Sequence, residues 1–483
     1  AMPGTRDSTS SEDWFEELFG FKERDYKETR SKLEYAGATL TSRVNGRAFP
    51  VGHFETPTLE ALRYRCDRAR AKATEGFWSA GALNFANVVG DTRALHLDPQ
   101  NAAAVFQVAS LFNCLETTQV GRGPEAGVAS YASRPLQGPA AAMACPAATV
   151  YRNYFINGTG QLNNELDCLG AISRLVENEE EHYWTMVRGY CLPVMPANLA
   201  RLSAQIAGDS DFEHRVQARL QVGVHWDAEV ASGEHQVCQV FCSALPVAEM
   251  KQRPVADWVG IAVALLQAAF DATLTAATLL AAERSERVRV FLTVLGGGEL
   301  GNRRRWIVHA LNKALNLHDR EPLDVMLVHY SEVPSDFFVL EEGRDQSIAL
   351  GGSKLGLTAQ VEALRRTDTF RAVAEERGEN GAAKLSAAFA HIDANGDGVI
   401  DRRELTRALQ SIDEDFFSTK VVNILFDEAD CGGDGVIHYR ELANWLWNED
   451  EDIVNSIFSR VECSPLHRKM NGQPEELPDP RAA

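Results

Sequence analysis

Twelve residues near the C-terminal end, 393–404, constrain this chain more than any other stretch. They read Asp-Ala-Asn-Gly-Asp-Gly-Val-Ile-Asp-Arg-Arg-Glu. Asp393, Asn395, Asp397 and Asp401 put side-chain oxygens at loop positions 1, 3, 5 and 9. Val399 offers its carbonyl at position 7, and Glu404 closes the loop at position 12 with a carboxylate able to bind through both oxygens. Gly398 falls at position 6, where the chain turns sharply with φ > 0. Oxygen donors at this spacing suit a hard divalent cation such as calcium. A solvated acidic turn is the plain alternative. Apolar Phe389 and Leu405 flank the loop, as a pair of packed helices requires.

A second loop runs over 430–441. Asp430, Asp434, Val436 and Glu441 match positions 1, 5, 7 and 12, and Gly435 matches position 6. Gly432 replaces the ligand at position 3, and His438 stands at position 9. Hard cations prefer oxygen, so this loop is expected to bind more weakly or to serve packing. Ile400 and Ile437, at position 8 of each loop, are expected to pair as a short β-bridge. The two segments together resemble an EF-hand pair, which implies calcium as the bound ion.

The remaining three quarters must contain other folds. A chain of 483 residues has room for about two to four domains. Its 45% hydrophobic and 24% charged residues are ordinary for a soluble globular protein. A net charge of −20 argues against nucleic acid or an anionic membrane as partner. The nine cysteines are odd in number and include no C-x-x-C pair, which points to a reducing, cytoplasmic setting. Residues 1–13 are polar, with no apolar core of a secretory signal. The apolar stretch 258–282 is interrupted by Gln267, Asp271, Thr273, Thr275 and Thr278. It predicts a helix buried against a sheet in preference to a membrane span.

Periodicity supplies the elements. Residues 11–22 predict a short amphipathic helix with Phe15, Leu18 and Phe19 on one face. Residues 38–54 alternate around Asn45-Gly46, a strong hairpin signal. Helices follow over 57–71, 138–154, 258–282 and 302–315. Strands are predicted over 83–89, 105–111, 220–230, 236–245, 288–295 and 323–330. Asp98-Pro99 reads as a helix cap and first residue. Polar residues 331–354 predict a linker, and 361–376 a charged helix. Strands interleaved with helices imply an α/β domain with a mixed sheet. The expected layout is a hairpin extension over 1–75, the α/β domain over 76–335, and a linker and helix over 336–378. The calcium-loop pair follows over 379–465, then a tail over 466–483.

Between the strand 288–295 and its following helix lies Gly296-Gly297-Gly298-Glu299-Leu300-Gly301-Asn302. The glycines match the letters of a dinucleotide fingerprint, and Glu332 follows the next strand. Backbone N–H groups bared at a helix N-terminus bind phosphate. A dinucleotide fold, however, carries this loop in its first βαβ unit. Here only one strand follows, which disfavours a nicotinamide-dependent oxidoreductase. A glycine turn without ligand stays open.

Along 220–230, strict alternation puts His225, Asp227 and Glu229 on one face and Val224, Trp226 and Ala228 on the other. Two carboxylates together can clamp a cationic group and stabilise positive charge that develops in a reaction. A solvated edge strand gives the same pattern. Asp91 follows a strand, where a helix cap is the simple reading. Asn113 and Glu116 close the segment after 105–111, within reach of a ligand at that strand end, although polar residues are common in such loops. No H-E-x-x-H, G-x-S-x-G or Walker lysine is present.

A glycine loop so late in its domain resembles the diphosphate loop of macrodomains, above all the poly(ADP-ribose) glycohydrolase branch. Val88-Val89-Gly90-Asp91-Thr92 resembles the macrodomain start whose aspartate holds the adenine amino group. Cys242-Ser243-Ala244-Leu245-Pro246 resembles the late strand leading to the ribose. The blocks 106–116, 138–155 and 223–230 agree with the arginine-specific macrodomain hydrolases. Leu300 and Glu249 stand where that branch carries aromatics. The resemblance spans about residues 14–330. It implies a macrodomain-like mixed sheet between helices, fused to the all-α EF-hand pair. It also implies metal-independent hydrolysis of ADP-ribose from arginine on modified proteins, with Asp227 and Glu229 as the catalytic carboxylates. ADP-ribose contacts are implied at Asp91, Thr92, Phe106, Gln107, Asn113, Ser243 and Ala244, and along Gly296, Gly297, Gly298, Glu299, Leu300, Gly301 and Asn302. A non-catalytic ADP-ribose reader and a calcium-sensor adaptor are the alternatives.

Overall fold

The computed structural model describes residues 14–72, 82–116, 121–133, 136–330, 333–341, 344, 349–350, 353–354, 398–410, 426 and 435–438. Contacts divide the chain into two units, Ala1–Leu355 and Gly356–Ala483.

The first unit begins with the short helix Trp14–Phe19, whose Phe15 and Phe19 are fully buried. Strands β1 (Leu33–Ala36), β2 (Thr39–Ser42) and β3 (Ala48–Pro50) form a small antiparallel sheet. Gly46 makes the predicted turn at φ 71°. The chain then enters the central sheet. Its strands are β4 (His53–Glu55), β5 (Asn84–Val89) and β6 (Val105–Ala109), followed after a separate hairpin, β7 (Trp184–Val187) and β8 (Tyr190–Pro193), by four more. These are β9 (Gly223–Glu229), β10 (Gln236–Cys242), β11 (Val288–Thr293) and β12 (Leu323–His329). The order is β4-β9-β10-β6-β11-β12-β5. Five neighbours, β10 through β5, run parallel, while β9 is antiparallel to both β10 and β4. The runs Val-Arg-Val-Phe-Leu-Thr and Leu-Asp-Val-Met-Leu-Val-His are largely buried, as parallel strands covered on both faces must be.

Helix Val259–Arg284 lies in the core almost throughout its length. Its length and apolarity would also suit a membrane span, but 83% of its apolar window is buried inside the protein. Asp271 is tolerated there because Arg63 (2.6 Å) and His318 (3.0 Å) bind its carboxylate. The sheet's other face is covered by Thr92–Leu97, Gln137–Ala144 and Pro146–Tyr154. The last two replace the single helix expected over 138–154. Cys145 leaves helical geometry (φ −122°, ψ 73°), and Pro146 starts afresh where its missing N–H costs nothing. Helices Pro196–Gly208 and Ser210–Arg219 have no counterpart in the sequence expectations.

The supposed linker after β12 is also corrected. Phe337 and Leu340 are buried, and the Glu341 carboxylate accepts the Asn87 N–H at 2.8 Å. This segment straps the outer strand β5. Two short strands follow, β13 (Ala349–Leu350) and β14 (Ser353–Lys354).

In the second unit, β15 (Val399–Ile400) pairs antiparallel with β16 (Ile437–His438), and helix Arg402–Gln410 follows. Ile400 faces Ile437 in register, and both are fully buried, as the loop positions predicted. The charged helix expected over 361–376 lies outside the described residues.

Candidate functional site

Four parallel strands, β5, β6, β10 and β11, carry the predicted binding segments at their C-terminal ends. In open α/β sheets this is the edge where ligands sit. The glycine loop follows β11. Gly296 and Gly301 adopt φ of 77° and 71°, a region that favours glycine. Asn302 ties the loop from within: its Nδ2 donates to the Leu245 carbonyl at 2.8 Å, and its N–H to that of Gly296 at 2.9 Å. The N–H groups of Gly297 and Gly301 are used by the Val294 and Gly298 carbonyls. Gly297, Gly298 and Glu299 are exposed, so the loop is not packed shut. Leu300 instead packs against the core. A Cβ on Gly298 would meet nothing within 4 Å. Helix Arg304–Leu317 starts just beyond, and among the described residues no side chain caps its N-terminus.

The other predicted contacts divide. Asp91 is exposed, and its carboxylate caps helix Thr92–Leu97 by accepting the Ala94 N–H at 2.7 Å. Thr92 donates its hydroxyl to Gln137, at the start of the next helix. Ser243 and Ala244 follow β10, with Ala244 against the turn at Gly296. Three residues are corrected, because the fold uses their side chains. Phe106 lies in a buried stack between His96 and Phe291, with ring centroids 3.6 and 4.6 Å away. Gln107 turns to helix Val259–Arg284 and donates to Thr273 at 3.0 Å. Asn113 shapes its own turn, accepting the Leu115 N–H at 3.1 Å and donating to Glu165 at 2.8 Å.

The same edge holds a group that periodicity does not reveal. Glu116, just beyond β6, is only 4% exposed. Its N–H donates to the Tyr131 hydroxyl at 3.0 Å. Gly138 makes room for its carboxyl, since a Cβ there would lie 2.6 Å from Oε2 and 2.2 Å from the Ala109 carbonyl. Among the described residues its Oε1 has no hydrogen-bond partner. Burial drives its pKa well above the ordinary carboxylate range, while the charge of Arg152 pulls it down. The Tyr131 turn is itself anchored. Glu23, from the N-terminal region, accepts the N–H groups of Val128 (2.8 Å) and Ala129 (2.6 Å) and the Tyr154 hydroxyl (2.7 Å).

The carboxylates of β9 stand elsewhere. Gly223 pairs with Phe241 at the C-terminal end of β10, whereas Glu229 pairs with Gln236 at its start. Asp227 and Glu229 therefore sit at the opposite edge, roughly 13–20 Å along the strand from the binding edge. Nor do they share a face. The register with β10 slips by one residue, and Asp227 has φ 52°, which marks a bulge. Alternation restarts after it. Asp227 lines a cleft with Trp226, Glu283 and Arg284, while Glu229 lines another with Pro146 and Ala147. His225 is fully buried, with Nε2 on the Val51 carbonyl at 2.8 Å, and burial and then Arg152 depress its pKa. The predicted convergence of three polar groups is thus undone by one inserted residue.

In the second unit, Gly398 and Gly435 adopt φ of 87° and 85°, as position 6 of each loop requires. Asp401 Oδ1 accepts the Glu404 N–H at 2.7 Å, and Glu404 Oε2 accepts the Asp401 N–H at 3.0 Å. This reciprocal pair starts the helix and fixes positions 9 and 12 relative to each other. Val399 and Val436 sit beside the β15–β16 bridge. Asp393, Asn395, Asp397, Asp430, Asp434 and Glu441 lie outside the described residues. Residues 382–446 match the EF-hand domain pair.

The chain is also similar in shape to solved poly(ADP-ribose) glycohydrolases. One, from Deinococcus radiodurans in complex with ADP-ribose, shares 10% identity over 60% of this chain and 92% of that one, with a TM-score of 0.30. Another, from Thermomonospora curvata bound to the inhibitor ADP-HPD, shares 10% over 68% of this chain and 96% of that one, with a TM-score of 0.31. Likeness this low assigns no residue a role. No curated protein matches the sequence.

Proposed function

We propose that the first unit binds ADP-ribose at the C-terminal edge of its sheet and releases it from modified protein by hydrolysis, with Glu116 as the reacting carboxyl. The observation that carries this reading is the meeting, on one edge, of an open glycine loop at an uncapped helix start and a buried carboxyl. The diphosphate would lie on the loop's outward N–H groups and the helix start. Asp91 would meet the adenine, as the sequence resemblance implies. A carboxyl whose proton is held above the ordinary range is suited to general acid–base work on a glycosidic bond. Arginine is the acceptor the sequence resemblance points to. The acidic strand face that would favour a guanidinium is not at this edge, so the linkage preference rests on the resemblance alone.

The displacement of Asp227 and Glu229 favours one second reading, a module that binds ADP-ribose without turnover. Release of ADP-ribose from arginine-modified and serine-modified proteins, beside a calorimetric titration with free ADP-ribose, separates the two. Binding without release supports the reader, and neither binding nor release sinks both.

The EF-hand pair would hold calcium, first at the loop ending in Glu404. The oxygen donor set there and the turn at Gly398 fit the ion. Glu404→Gln is expected to remove the tightest step of a calcium titration. Loss of that step in Glu441→Gln instead reverses the ranking. Equal turnover in calcium and in chelator would leave the ion a structural role.

A further inference from the structure

Arg152 is fully buried, at the middle of the first unit, and needs an explanation. Its Nε donates to the Cys114 carbonyl at 3.3 Å, and its Nη2 to the Thr149 hydroxyl at 3.2 Å. The guanidinium lies over the Phe241 ring, 3.7 Å from the centroid. Among the described residues its Nη1 has no hydrogen-bond partner, and no carboxylate lies within ion-pair distance of it. A buried cation without a contact counter-ion is costly unless a charge nearby offsets it. Glu116, when ionised, is the leading such charge: each acts electrostatically on the other, and each leaves one polar atom unpaired. The carbonyl that Arg152 grips belongs to Cys114, two residues before Glu116, and Cys114 adopts φ 60°.

We propose that Arg152 is the positioning residue of the Glu116 carboxyl: it clamps the strained turn at Cys114 and supplies the counter-charge to the ionised glutamate. This rests on the reading of Glu116 given above. Among the described residues, the groups that face Glu116 from neighbouring elements are Arg152 on helix Pro146–Tyr154, Tyr131 on the turn Ala129–Ser133 and Cys114 on its own loop. Glu23 stands behind Tyr131. Among the described residues only Arg152 brings a positive charge to Glu116, so its removal has one sign. The ionised glutamate loses its offset, and the proton is held more tightly.

The test follows the Glu116 carboxyl by NMR in the full chain, with carbon-labelled glutamate and the signal assigned by its loss in Glu116→Gln. In Arg152→Gln the titration midpoint is expected to rise by about one pH unit or more. The pH limb of ADP-ribose release should move the same way, with ADP-ribose affinity within about threefold of wild type. Arg152→Lys, which keeps the charge, should bring the midpoint back toward wild type. An unmoved midpoint in Arg152→Gln, with only a lower melting temperature, overturns the proposal and leaves Arg152 a core residue. Should Arg152→Gln not fold, Phe241→Leu removes the surface under the guanidinium. An upward shift is expected there too, and none would overturn the proposal. Full turnover in Glu116→Gln would sink the catalytic reading while leaving the NMR test of the pair intact.

Discussion

The two edges of the central sheet use carboxylates in opposite ways. At the C-terminal edge one glutamate, Glu116, is buried under a tyrosine, a glycine and an arginine brought from three other elements. At the far edge Asp227 and Glu229 stand on one strand but face different clefts. The first arrangement perturbs a proton equilibrium, because its charge is desolvated and only partly offset. The second leaves Asp227 in solvent, where Coulomb terms are weak. Spacing in sequence drew attention to the second edge, whereas the function proposed above rests on the buried carboxyl of the first.

Substitutions can break that comparison. The largest effect is expected from Glu116→Gln, which should slow release of ADP-ribose by about a thousandfold while leaving ADP-ribose affinity within about threefold. Rate and affinity falling together would mean a binding role instead. Gly298→Glu comes next. The site has space for the side chain, so the fold should be untouched, but a negative charge enters the glycine loop. ADP-ribose affinity should fall by at least about tenfold in calorimetry, with the melting temperature unchanged. Asp227→Ala and Glu229→Ala should each keep turnover within about twofold. A strong loss in both would return the chemistry to β9.

The smallest expected effect concerns acid. His96 and His225 are buried on the face that Glu116 shares, and burial is the leading cause of their lowered pKa values, His96 to about 4. Unfolded, both would take a proton near the ordinary histidine value. Stability is therefore full above that value and lost as pH falls through the depressed folded one. His96→Gln should flatten that loss, by roughly 5 °C in melting temperature at the acid end. An unchanged acid slope would mean that other groups carry it.

Much of the fold was legible because local rules governed it. Asn45-Gly46 made its hairpin and Asp98 capped its turn, each within a few residues of the signal, while Ile400 met Ile437 because each holds position 8 of its own loop. The glycine loop was placed correctly between strand and helix, since glycines mark their own turns. The misses have physical reasons. A bulge at Asp227 adds one residue to β9, and no letter in the sequence announces it. Cys145 ends a helix because Pro146 must begin one. The Glu116 environment was out of reach, since Tyr131, Gly138 and Arg152 approach it only through tertiary packing. Phe106, Gln107 and Asn113 were read as ligand contacts because they fall in the block 106–116 that the resemblance covers. Partners that hold them, Phe291, Thr273 and Glu165, lie far along the chain.

The stitch made by Glu23 sets a practical limit on dissecting this protein. Residues 14–55 supply the outermost strand, β4, as well as the carboxylate that holds the Val128–Ala129 amides. A shortened gene starting after β4 would expose the edge of β9 to pairing with other chains and release the turn that touches Glu116. Such a fragment should purify as aggregates or as an inactive monomer. Expression boundaries for the isolated first unit therefore belong upstream of Trp14.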